Sequence, residues 1–292
     1  MHLSRARLFT IAMSLTASIA AADDRATVEK SARAALAAIP QGKAANIPVA
    51  KDGVVLVFGV TTADDEWPLA LNGGSQGTER PSYKPGTFTV GVDTTKGVAW
   101  FIAPVDAHAD ALRDEAATGD LRDAHPYDAK ERFGGLALKA GASWQLVSLA
   151  LTHTMPDKQL VDPKSWTARA ALPAGKPVLA GDADLAATAA DWIKSGFAAH
   201  FAATPTLIAA GTAPSELKSG APAKKLAASW DKLGLVAEKI TATTMSNGTV
   251  GVVAADVLMP RKTGKGAIAM SVAMFVVRDA DQWKWVLLQF GP

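Results

Sequence analysis

From Val236 onward, apolar residues recur with strand-like spacing in four runs: Val236 to Thr244, Thr249 to Leu258, Ala267 to Arg278 and Trp283 to Phe290. They are separated by Asn247-Gly248, by Lys262 to Gly266 and by Asp279 to Asp281. The pattern predicts an antiparallel meander, and Asn-Gly marks its first hairpin because a type I′ turn needs positive φ at both central residues. Upstream the period is helical. Asp182 and Asp184 cap a helix whose positions Leu185, Ala189, Trp192, Ile193, Gly196 and Phe197 form one apolar stripe, with Pro205 beyond its end. Pro222, then Leu226, Trp230 and Leu233, with Gly234 as a stop, predict a second helix.

The first half of the chain follows the same order. A helix from about Thr27 to Ile39 carries Val28, Ala32, Leu36 and Ile39 on one face and stops at Pro40. Strand-like runs follow at Thr87 to Val92, Val98 to Asp106, Glu131 to Lys139 and Trp144 to His153. The stretch Gly97 to Val105 lies against Thr249 to Val257, Trp144-Gln145-Leu146-Val147 against Trp283-Lys284-Trp285-Val286, and Val54 to Gly59 against Pro205 to Gly211. This reads as a tandem duplication with drift. Residues 156–181 hold Pro156, Pro163, Pro173 and Pro177 and read as a surface linker, with Trp166 its one large anchor. The expected organisation is therefore a leader over 1–22, one α+β unit over 23–155, the linker, and a second α+β unit over 182–292. Residues 107–129 of the first unit have no counterpart in the second and predict a long hairpin loop or a small lid.

Charge and composition sharpen this picture. Arg5 and Arg7 precede an apolar run, Leu8 to Ala22, that ends in Ala20-Ala21-Ala22 before Asp23-Asp24, the layout of a secretory signal peptide. The run is shorter than the roughly 20 apolar residues a bilayer span needs, so no membrane insertion is expected after its removal. Cleavage there removes two arginines and no acid, so the formal charge of +2 falls to about zero. No basic cluster large enough for nucleic acid remains. The chain has no cysteine, which excludes disulfides and a lipid-modified cysteine. A periplasmic or secreted location is expected.

The order helix, short strand ending in glycine, amphipathic helix and curved meander closed by Trp-x-x-Val resembles the nuclear transport factor two-like superfamily, which includes the SnoaL-like polyketide cyclases. The resemblance rests on Leu207 to Glu216 with Ser219-Gly220 and the Trp230 helix, and on Phe275 to Val286, and the two copies cover nearly all of the chain after residue 22. It implies two tandem cone-shaped domains, each with N-terminal helices on a curved antiparallel sheet around a conical, often apolar pocket. It also implies sheet-to-sheet pairing, here as an intramolecular pseudo-dimer, and it leaves function open among isomerases, dehydratases, cyclases and binding modules.

The polar candidates gather in the first unit. Asp106, His108 and Asp110 follow the Val98 strand, His153 ends the Trp144 strand, and His125 and Asp128 lie in the insertion. Alternation puts Asp106 and His108 on the face of Trp100 and Ile102. A histidine beside a carboxylate is a competent acid–base pair near neutral pH, so Asp106, His108 and His153 are the catalytic candidates; the plainer reading is a strand running out into a solvated loop. The same residues lack the ligand spacing of a specific metal site. Trp100, Trp285 and His200 are candidates for lining a ligand pocket, and the plainer reading makes each of them core, with His200 on the buried stripe of its helix. Gly73-Gly74-Ser75-Gln76-Gly77 matches the nucleophile-elbow pattern, but Pro81 and Pro85 stand where its helix should begin, and it reads as a loop. Gly264-Lys265-Gly266 lacks the rest of a phosphate loop. The residues imply no cofactor. Two readings follow: a non-catalytic exported protein that binds a small apolar ligand or a protein partner, or an isomerase, dehydratase or cyclase using Asp/His acid–base chemistry in the first unit.

Overall fold

The computed structural model describes residues 5–41, 49–57, 60–62, 82–113, 124–155, 168–169, 172–173, 175–246, 248–261 and 266–292. The chain is α+β, with two sheets. In the first half, α1 (Arg5–Ala38) is followed by β1 (Val49–Val57), β2 (Val60–Thr62), β3 (Ser82–Pro85), β4 (Thr89–Asp93), β5 (Val98–Arg113), β6 (Ala124–Ala140) and β7 (Ser143–His153). Their order across the sheet is β2-β1-β7-β6-β5-β3, with β4 also on β5. In the second half come β8 (Ala168–Arg169), β9 (Val178–Gly181), α2 (Ala183–Ser195), β10 (Ile208–Ala210), β11 (Leu217–Ser219), α3 (Ala221–Trp230), β12 (Val236–Met245), β13 (Val250–Pro260), β14 (Ala267–Asp279) and β15 (Gln282–Gly291). The second sheet runs β11-β10-β15-β14-β13-β12-β9, with β8 on β14.

The two sheets share one plan. In each, a short strand lies parallel to the last long strand, β1 on β7 and β10 on β15, and an antiparallel meander forms the centre. The last hairpin of each carries a register shift, after Leu136 in β6 and after Phe275 in β14. With these shifts superposed, Trp144 matches Trp283 and Trp100 matches Val252, the same correspondence that the sequence gives.

Several boundaries differ from the sequence reading. Helix α1 starts at Arg5 rather than near Thr27, running through a segment that is rich in alanine, the residue of highest helix propensity. No described helix is long and apolar enough to cross a membrane. Within the segment read as linker, Val178–Gly181 forms a strand parallel to β12, satisfying backbone groups at that edge. The insertion is a hairpin extension: β5 and β6 keep pairing as far as Arg113 and Ala124. Its tip, 114–123, the Gly73–Gly77 motif, Trp166 and residues 262–265 lie outside the described residues.

Alternation along the strands sorts the apolar residues into three clusters. Ala99, Phe101, Ala103 and Val105 of β5 face α1 and the turn that ends it, where they meet Val28, Ala32, Leu36 and Ile39. In the second half α2 and α3 cover Trp285, Phe290, Met274 and Val253. The third cluster lies between the sheets: Trp100, Ile102, Leu136 and Ala150 of the first meet Val252, Ala254, Phe275 and Leu287 of the second. The halves therefore pack sheet on sheet, and the central strands of each sheet are buried on both faces. Polar contacts reinforce the seam, with Trp100 Nε1 donating to the Thr206 carbonyl at 2.6 Å and Lys96 Nζ lying 2.8 Å from Asp279 Oδ1. Gly91 is required beneath the Trp100 indole, since a Cβ there would lie 2.2 Å from the ring.

Candidate functional site

Strand alternation decides which face each candidate occupies. Asp106 and His108 do share a face with Trp100, but that face meets the second sheet, not the helix. Beyond the seam it becomes open to solvent. Asp106 is bound to Lys130 at 2.6 Å with both side chains more than half exposed. His108 lies between Asp128, 2.8 Å from Nδ1, and Asp110, 3.1 Å from Nε2. The hydrogen bonds to Asp128 and then Asp110 raise its pKa. Asp106, His108, Asp128, Lys130 and Thr154 line an open cleft of about 420 Å³.

His153 belongs to the opposite face. It follows Leu149 and Leu151, which face α1, and its Nδ1 lies 3.2 Å from Oε1 of Glu131, a carboxylate only 2 % exposed. The strands form a lateral row, Pro85, Val105, Glu131 and His153, running across β3, β5, β6 and β7. Tyr83, two positions along β3 from Pro85, pairs with Ala107 and packs on the same core, within diagonal reach of that row. Burial first, and the negative charge of Glu131 second, push its phenol pKa far up, so Tyr83 stays protonated. A carboxylate, an imidazole and a neutral phenol thus stand at one end of an apolar surface formed by Val105, Phe133 and Leu151. Of the sequence-derived catalytic candidates, only His153 lies on the helix-covered face; the structure does not bring Asp106 and His153 together.

The second half has no matching polar group. In the register set by the two shifts, Met270 stands at the position of Glu131 and Pro292 at that of His153. Trp285 is fully buried and donates from Nε1 to the Phe197 carbonyl at 2.7 Å, and Trp100 is equally buried in the seam. Both are parts of closed packing. His200 does not lie on a helical stripe, because α2 ends at Ser195. Gly196 takes φ 111°, and the Asp231 carboxylate accepts from Phe197 N at 2.6 Å and Ala198 N at 3.2 Å, turning the chain away. A Cβ on Gly196 would meet that carboxylate at 2.6 Å, so the turn needs glycine. His200 instead stacks on Trp192, with centroids 5.5 Å apart, in a cleft of about 260 Å³. Burial, and then Lys284, lower its pKa.

Glu131, Tyr83 and Arg132 escaped the sequence reading. The available signal was Glu131-Arg132 opening a run that is otherwise apolar: in a sheet with both faces buried, successive charges must each find a partner on opposite sides. Among the described residues no group of three or more His, Asp or Glu is arranged to hold a metal ion.

No family profile and no curated protein matches the chain. Solved structures do. A protein with a cystatin-like fold from Caulobacter vibrioides is 16% identical, with a TM-score of 0.36, over 49% of this chain and 97% of its own. A ketosteroid isomerase-like protein from Erwinia carotovora atroseptica is 19% identical, with a TM-score of 0.34, over 46% and 98%. A nuclear transport factor two-like protein with a cystatin-like fold from Novosphingobium aromaticivorans is 15% identical, with a TM-score of 0.33, over 48% and 87%. Each of these similarities extends over about half of this chain and most of the other.

Proposed function

We propose that the helix-covered face of the first half is the working site, that it binds a small, mainly apolar molecule bearing a carbonyl or hydroxyl group, and that the second half is its packed scaffold. One observation carries this reading: the buried Glu131, bonded to His153, sits at the end of an apolar face where the second half has Met270. A buried carboxylate is costly in a merely structural role, and polar groups converging on an apolar surface are the usual make-up of a small-molecule site. The protein purified from cells is to be denatured and its extract analysed by mass spectrometry. An apolar compound should accompany the wild type and Asp106→Asn but be lost from Glu131→Gln. Equal recovery from Asp106→Asn and Glu131→Gln overturns the assignment.

Tyr83 favours a second reading, acid–base catalysis next to a carbonyl. A protonated phenol beside a carboxylate–imidazole pair supplies a donor for a developing enolate and a base for the adjacent proton. Incubation of a bicyclic aryl ketone in deuterium oxide tests it: wild type should speed deuterium uptake at the carbon next to the carbonyl, and Glu131→Gln should not. Uptake at the solvent rate with wild type leaves binding alone.

Export belongs to the same proposal. The basic residues, apolar run and Ala20-Ala21-Ala22 support removal of residues 1–22. Asp24, just beyond, already ties α1 to the sheet, accepting from Trp144 Nε1 at 2.8 Å and lying 3.0 Å from Lys139 Nζ. Intact-mass measurement on the periplasmic fraction should find a chain beginning at Asp23.

A further inference from the structure

We infer that Arg132 is a positioning residue through which the second half holds the two strands bearing Glu131 and His153; the inference rests on reading that pair as the working site. Arg132 is 1% exposed and points into the seam, on the face opposite to Glu131. Its guanidinium reaches into the loop after β10, where Nη1 donates to the Gly211 carbonyl and Nη2 to the Ala213 carbonyl. The carbonyl between them, that of Thr212, accepts from Met155 N at 2.9 Å, two residues beyond His153. Three successive carbonyls of one loop in the second half therefore hold β6 at Arg132 and the chain just beyond β7 at Met155.

The loop is built to present them. Gly211 N donates to the Glu216 carbonyl at 2.9 Å, Glu216 N to the Ala213 carbonyl at 3.0 Å, and the Glu216 carboxylate accepts from Ala213 N at 3.2 Å. From β15, Gln289 Nε2 donates 3.3 Å to the Arg132 carbonyl, so the residue is held by backbone and side chain alike. Burial lowers the guanidinium pKa to about 10, opposed by the charge of Glu216, and the group stays cationic at neutral pH.

Apolar packing does not call for such a residue. Ser271 fills the matching place in the second sheet. A buried guanidinium is tolerated where its donors are met in a fixed fork, and that fork fixes the backbone bearing it. Because neighbouring strand residues leave on opposite faces, any twist that moves Arg132 also turns Glu131.

The test reads the His153 ring directly. In histidine-labelled protein, heteronuclear NMR of Arg132→Met should show the His153 ring-nitrogen resonances displaced, with His108 and His200 unmoved, and Arg132→Lys should bring them part of the way back. A folded Arg132→Met chain with His153 at its wild-type position overturns the inference. If Arg132→Met does not fold, Glu216→Gln, which loosens the loop but leaves the arginine, should displace His153 in the same sense by less, and an unmoved His153 there counts equally against it. No ligand enters the measurement, so its outcome is separate from the ligand-recovery test.

Discussion

The interior of the second half is closed by its own aromatic rings, whereas that of the first ends in ionisable groups. Trp230 and Phe197 pack on Phe290 with centroids 4.3 Å and 6.0 Å away, and Met270 completes the wall. In the first half Phe88, Phe101 and Phe133 make a similar chain at 6.1 Å and 5.7 Å, but the row beyond them holds Glu131 and His153. One strand plan thus supports both a solid core and a core with a polar end, and single positions decide which.

The largest expected effect tests whether the second interior is solid. Trp285→Ala removes a fully buried indole and its bond to Phe197, and should cost about 3–5 kcal/mol in urea unfolding. A loss below about 1 kcal/mol would mean that the ring lines space rather than fills it. Next comes an exchange between the halves. Met270→Glu should destabilise by about 3 kcal/mol, since it buries a carboxylate without a built partner. The reciprocal Glu131→Met should change stability by less than about 1 kcal/mol, with His153 left partly in water. Equal costs for the two would erase the contrast.

The smallest effect concerns the exposed cleft. The His108 pKa is raised in the folded chain, so its contribution is fully present below about pH 6.5 and is lost as pH rises through the raised value. His108→Ala should therefore lower the thermal midpoint slightly at about pH 5.5 and leave it unchanged at about pH 9. The same shift at both pH values would show that His108 acts through packing.

The strands were legible because alternation and turn residues are local signals. Trp144 and Trp283, each just after a tight turn, gave the repeat its register. What was not legible is which side of a strand meets the helix and which meets the other half. Trp100 looked like an interior residue, correctly, but its interior is the seam, and Asp106 and His108 followed it outward. His200 was misplaced because nothing local announces that Asp231, 34 residues further on, captures the amide of Phe197 and ends the helix early. Arg132 depends on carbonyls 79 and 81 positions away, and no spacing rule reaches that far.

Across the seam Thr152 faces Gly291, which stands at its own counterpart position, the kind of contact that lies on a two-fold axis when the two partners are identical. Two identical chains meeting across such an axis must offer every contact twice, and a second arginine would be imposed where Ser271 now stands. Fusion into a single polypeptide lifts that demand, so Arg132 can grip the second half with no arginine required in return at Ser271.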